Sequence, residues 1–181
     1  MRAVSLRAKV LHPVRQRQFH SFGADSVLHK PMWLYGTDKI AIGDRVIFMH
    51  GAWLSVERRA WAQDGPALRI GDGAVFRFGC TISATESIDI ADNVGCGAGV
   101  TIIDSRHTWE GGSPNPMWNP AEAAPVRIGA GSWLADRATV AAGAVIGEQC
   151  AIGPGSVVSG TIADHSVVLG NPGRVVGSTR T

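Results

Sequence analysis

At 181 residues the chain is long enough for one domain with a full core, while two domains would each be small. Hydrophobic residues make up 45% and charged residues 18%, which excludes a disordered chain. A net charge of +2 is too weak to suggest nucleic acid on its own, and none is expected as a partner.

In chain order, the first stretch is a basic N-terminal arm over residues 1–30, with Arg2, Arg7, Lys9, Arg15, Arg17 and Lys30 against Asp25 alone. It reads first as a solvated arm, and alternatively as a weak docking surface for an anionic membrane or substrate. Arg7 and Lys9 interrupt the region before a signal-peptide core forms, and no apolar run is long enough to span a bilayer. The expected location is the cytoplasm.

From residue 40 onward, pairs of apolar or small residues two apart recur every six. Ile40/Ile42, Val46/Phe48 and Ala52/Leu54 form the first group of three. Leu68/Ile70, Ala74/Phe76 and Cys80/Ile82 form the second, and Ile88/Ile90, Val94/Cys96 and Val100/Ile102 the third. Val126/Ile128, Ser132/Leu134 and Ala138/Val140 form the fourth, and Ala144/Ile146, Cys150/Ile152 and Ser156/Val158 the fifth. Residues two apart share one face of a strand, and the three residues between pairs suit tight turns. A period of six with recurrent glycine is not helical. Three short strands per group predict an all-β triangular solenoid of about five coils, stacked about 4.8 Å apart. Cys80, Cys96 and Cys150 all fall on inward positions and read as core residues, not as ligands or disulfides.

Between the fourth and fifth groups the chain steps four residues, from Val140 to Ala144. It takes fourteen from Leu54 to Leu68, six from Ile82 to Ile88, and twenty-four from Ile102 to Val126. The longest detour, the excursion loop 104–125, has His107 at its root in "GVTIIDSRHTWEGG". Long loops on rigid scaffolds commonly carry function, which singles out His107 from His12, His20, His29, His50 and His165.

The repeat, with "IDIADNVGCGAGVTIIDSRH", "PVRIGAGSWLADRATVAAGAVIGEQCAIGPGSVVSG" and the closing "VVLGNPGRVVG", resembles the hexapeptide-repeat acyltransferases. The histidine after the third group and the terminal G-N-P-x-R resemble the sugar O-acetyltransferase branch. The resemblance implies a left-handed parallel β-helix over residues 31–176, followed by a short C-terminal tail, 177–181. The handedness comes from the family alone, since the general crossover rule favours the other hand. It further implies a homotrimer with acetyl-CoA held between neighbouring prisms and no metal. The acceptor would be a hydroxyl of a sugar or glycoconjugate precursor. His107 would be the general base, with Asp104 or a backbone carbonyl orienting its ring. Trp133, Ala135, Asp136, Gly153, Gly155 and Arg174 would bind the CoA, and Arg77 and Trp109 the acceptor. Asp136 stands where relatives often have Ser, Asn or Ala, so its N–H and not its carboxylate is the candidate oxyanion donor. Pro154, Gly160 and Gly177 replace residues that elsewhere contact CoA. Arg77 replaces an acceptor-positioning Asn, so the acceptor cannot be copied from relatives.

Two other readings of the same prism stand beside this one. One is a non-catalytic trimeric scaffold or sugar-binding module, which would need neither His107 nor the detour. The other is a zinc enzyme of the γ-carbonic-anhydrase type, which needs three converging histidines. Such sites use a close His pair, whereas the repeat region holds only His50, His107 and His165.

Overall fold

The computed structural model describes residues 17–110 and 112–180. Apart from short 3₁₀ turns at Thr37–Lys39, Arg58–Ala62 and Pro116–Trp118, the described secondary structure is strand. The chain winds around three faces, each complete coil adding one strand to each by parallel pairing. Face A contains Ile40–Ile42, Leu68–Ile70, Ile88–Ile90, Val126–Ile128 and Val145–Ile146. Face B contains Ile47–Phe48, Val75–Phe76, Gly95–Cys96, Trp133–Leu134 and Ala151–Ile152. Face C contains Trp53–Val56, Thr81–Ala84, Thr101–Ile103, Thr139–Val140 and Val157–Val158.

Both residues of all fifteen sequence pairs are buried. Like residues stack on like along the axis because the register is exact in sequence: Ile42 lies on Ile70, and Ile70 on Ile90. Phe48 and Phe76 stack at 4.2 Å with an interplanar angle of 6°. The three cysteines are core thiols, and burial pushes that of Cys80 up to about 11. Among the described residues no buried side-chain polar atom lacks a partner.

The prism is longer than the five groups. Residues 17–30, expected to be part of the arm, instead build an extra coil at the start. Ser21–Phe22 pairs with Ala41 and Ile42, and Val27–Leu28 with Ile47 and Phe48. Phe22, Leu28 and Leu34 do keep the spacing of six, but their partners two residues earlier are His20, Ser26 and Met32. Ser26 is polar yet fits the inward position, because its hydroxyl donates to Gly43 O (2.6 Å) and accepts from Val46 N–H (2.9 Å). Residues 1–16, with most of the arm's charge and its proposed membrane contact, lie outside the described residues.

At the other end Thr161–Ile162 and Ser166–Leu169 begin a further coil. Arg174–Ser178 then folds back antiparallel on Ser166–Leu169, and the Thr179 hydroxyl donates to Gln149 O at 2.8 Å. The expected tail at 177–181 is therefore, through Thr179, a strand and its anchor that cover the end of face B.

Corners are fixed by cross-coil caps. At the A–B corner the carboxylates of Asp44, Asp72 and Asp92 accept the N–H groups of Ala24, Asp44 and Asp72, each from the coil before (2.7–2.9 Å). This close stacking is why Gly71 is glycine: a Cβ there would lie 2.7 Å from the Ala91 carbonyl carbon.

Candidate active site

All three long steps between coils leave and return at the C–A corner, so their detours stack along it. A hairpin leaves the prism after Ile103, in which Ser105–His107 pairs antiparallel with Ala121–Ala123 and Arg106 meets Glu122 at 2.8 Å. The detour one coil earlier supplies Thr85, whose hydroxyl is 2.8 Å from that of Ser105. The detour after Leu54 supplies Arg59, which donates to Ala121 O at 3.0 Å.

His107 is exposed on this hairpin, and its Nδ1 lies 3.1 Å from the backbone oxygen of Asn119. A carbonyl only accepts, so the neutral ring carries its proton on Nδ1 and its lone pair on Nε2. Asn119 is itself buried, and its side-chain amide donates to Thr108 O at 2.6 Å. One residue thus orients the imidazole and clamps the neck of the loop beyond it. Sequence reasoning did not find Asn119. Its only signal was the Asn119-Pro120 dipeptide, a turn marker with nothing in it to suggest burial.

Asp104 does not orient the ring. It is fully buried; Oδ1 accepts Thr85 N–H (2.7 Å) and Oδ2 accepts Glu86 N–H (2.8 Å). Burial pushes its carboxyl above the usual range, and the N–H groups of Glu86, Thr85 and Ser87 partly offset this. The reason is the strand period: Val100, Ile102 and Asp104 alternate inward, and a residue three further on faces the other way. Asp104 is the cap of the neighbouring detour, and His107 is hydrogen-bonded to a backbone carbonyl instead.

The residues expected to bind CoA lie elsewhere. Trp133 stands on the outside of face B, half-exposed, over Gly95, where a Cβ would come 2.6 Å from the ring. Next to it Gly97, Ala135 and Gly153 occupy successive coils and form a row of small residues along the axis, with the Leu169 side chain packed over Gly153. Two of the glycines also have reasons within the fold. A Cβ on Gly153 would collide with the Leu169 side chain, and Gly155 sits at φ +65°, in the left-handed region. Arg77 and Asp136 are brought together at the B–C corner, 3.9 Å apart and both exposed. Asp136 also accepts Ala98 N–H at 2.8 Å. Arg174 is exposed on the terminal strand, at the end of the same face. Trp109 is exposed in the hairpin tip, on His107's side of the molecule. A single chain therefore unites Trp133, Ala135, Gly153 and the Arg77–Asp136 pair, and places His107 at the C–A corner instead. His50, His107 and His165 sit at three different corners, and among the described residues no three His, Cys, Asp or Glu side chains converge. No helix among them is long and apolar enough to cross a membrane.

Residues 125–160 match the family model for the bacterial transferase hexapeptide, a motif of six repeats. The chain is similar to a probable acetyltransferase of Mycobacterium tuberculosis, 30% identical over 128 residues, 70% of this chain and 42% of that protein. It is likewise similar to a putative lipopolysaccharide biosynthesis O-acetyl transferase of Escherichia coli, 31% identical over 52% of each chain. The chain thus spans about half the length of the curated relatives it matches. Among solved structures it resembles a hexapeptide-repeat acetyltransferase of Vibrio cholerae complexed with acetyl coenzyme A. The TM-score is 0.68 at 17% identity, over 98% of this chain and 81% of that one. Three-faced coils with this repeat define a left-handed parallel β-helix protein. The chain shares this fold and, over residues 125–160, the hexapeptide repeat of that family model.

Proposed function

We propose that the chain is an acetyl-CoA-dependent O-acetyltransferase whose acceptor is a hydroxyl of a sugar or glycoconjugate precursor. The observation that carries this is His107, whose Nδ1 is tied to Asn119 O so that an exposed Nε2 is left as a base. The names of the two curated relatives, one of them an O-acetyl transferase, support the same reading.

In this reaction Nε2 takes the proton of the acceptor hydroxyl as its oxygen attacks the thioester carbon. The tetrahedral oxyanion collapses, the C–S bond breaks, and the imidazolium returns the proton to the departing thiolate. The N–H groups of Trp133, Ala135 and Arg137 are already donated to Cys150, Ile152 and Ala98. That leaves the Asp136 N–H as the donor we assign to the oxyanion. Trp133 and the track of Gly97, Ala135 and Gly153 would receive the pantetheine arm, with Arg174 near the phosphates. Because His107 and this track occupy different sides of one prism, a complete site takes one from each of two neighbours in a homotrimer. We place the reaction in the cytoplasm and treat the β-helix as one domain.

The test is release of free CoA from acetyl-CoA against a panel of nucleotide sugars and glycolipid precursors. His107→Ala is expected to lower the rate about 10²–10⁴-fold, with an unchanged melting temperature. An unchanged rate would remove His107 as the base. Absence of turnover with every acceptor, together with no binding of acetyl-CoA, would favour the scaffold reading.

A further inference from the structure

Beyond the hairpin, the C side of the first two coils carries aromatic rings that neither the core nor the proposed chemistry uses. Trp33 and Trp53 project outward from adjacent strands and stack at 5.5 Å with an interplanar angle of 28°. Two residues along the same strand, on the same outward side, Tyr35 meets Trp61 at 5.6 Å and 34°. Trp33 is 48% exposed and Trp61 41%.

These rings are fixed in place. Trp53 Nε1 donates to Ser55 Oγ and Trp61 Nε1 to Val56 O, both at 3.2 Å. Arg58 Nε donates to the Tyr35 hydroxyl (3.3 Å), and its guanidinium lies 5.9 Å from the Trp61 ring centre. We infer that this double pair of rings is a binding platform for a neutral glycan chain, the extended part of the acceptor; the second clause rests on the function proposed above.

Three observations favour a glycan over a second copy of the chain. First, the rings are flat, paired and edged by hydroxyl and guanidinium groups, which suits a sugar's apolar C–H face and polar rim. Second, the outward positions further along the face are mostly hydroxyls, Thr81, Ser83, Thr101 and Thr139, interrupted by the isolated aliphatic side chains of Ile103 and Val157. A stable protein contact needs about 800 Å² on each partner around an apolar centre, and the face does not continue as one. Third, the platform is continuous with the candidate site: the segment that holds Trp61 also holds Arg59, which bonds the His107 hairpin at Ala121 O (3.0 Å). From the second coil to the fourth, where the hairpin leaves, the distance is about 10 Å at the usual strand spacing. A short oligosaccharide spans that.

The experiment is an NMR titration of the indole N–H signals with maltohexaose and with cellohexaose, in the absence of acetyl-CoA. At least one is expected to give saturable shifts of Trp33, Trp53 and Trp61 with a millimolar Kd. Trp33→Ala and Trp61→Ala should each weaken binding roughly fivefold, with circular dichroism confirming the fold. Transfer to monosaccharide acceptors should persist in both variants, so loss of the platform and loss of the transferase reading are separately visible. The inference is overturned if neither hexasaccharide binds saturably, or if shifts are confined to Trp109, Trp118 and Trp133. It is equally overturned if light scattering shows that Trp33→Ala changes the oligomeric mass, since the face would then be an interface between copies.

Discussion

Asp104 and His107 are three residues apart, and the strand period sends one into the core and the other to the surface. The two carboxylate oxygens of Asp104 serve two different N–H donors, Thr85 and Glu86. Asp104→Asn keeps one acceptor and turns an N–H₂ toward the other donor, which should cost about 1–3 kcal/mol of stability. Chemical denaturation of both forms measures this, and kcat well below the melting temperature should stay within a few-fold of wild type. A large loss of kcat at unchanged stability would instead give Asp104 a direct part in orienting His107. The pH dependence has a definite sign. A carboxyl raised in the folded state holds a proton that the unfolded chain has released. Its contribution to stability is full below the unfolded pKa, about 4, and is lost as pH rises through the raised value. The wild type should therefore lose part of its advantage over Asp104→Asn as pH rises across that window.

The coil is the unit at which the sequence is most informative. Fifteen pairs, a spacing of six and three long steps were enough to place the core, the corners and the detour at His107, because an inward residue must be apolar or small whatever the coil. Two kinds of element escaped that logic. The first coil was hidden because Ser26 is satisfied by Gly43 O and Val46 N–H, a cross-coil arrangement that no local pattern shows. The aromatic pairs Trp33/Trp53 and Tyr35/Trp61 were hidden because which strands lie side by side depends on the length of each detour. The glycines of face B illustrate a related distinction. A Cβ on Gly97 would lie 2.5 Å from the backbone N of Asp136, which cannot move without the corner, whereas on Gly95 it would meet only the half-exposed ring of Trp133. Gly97→Ala should cost about 1–3 kcal/mol, seen by calorimetry as roughly 2–4 °C of melting temperature per kcal/mol. Gly95→Ala should leave stability nearly unchanged and raise KM for acetyl-CoA by displacing Trp133. Equal losses of stability in the two variants would mean that Trp133 is as firmly held as the corner.

At the scale of the whole molecule, the separation of His107 from face B ties the proposed chemistry to the proposed trimer. In a cyclic trimer every interface is heterologous, so one surface of each chain always faces a different surface of the next. If the site takes His107 from one chain and the Gly97–Ala135–Gly153 track from its neighbour, two inactive variants should complement each other. His107→Ala removes the base, and Ala135→Trp fills the track while leaving His107 in place. When the two are unfolded together in equal amounts and refolded, a site works only where an Ala135→Trp chain lends its His107 to the track of a His107→Ala chain. Random assembly gives that arrangement at about one quarter of the interfaces, so the mixture should recover about that fraction of wild-type CoA release. Each variant refolded alone should remain near zero. A mixture that stays inactive, with both variants trimeric by light scattering, would mean that base and track belong to the same chain, and hence that the hairpin must move around the prism to reach face B.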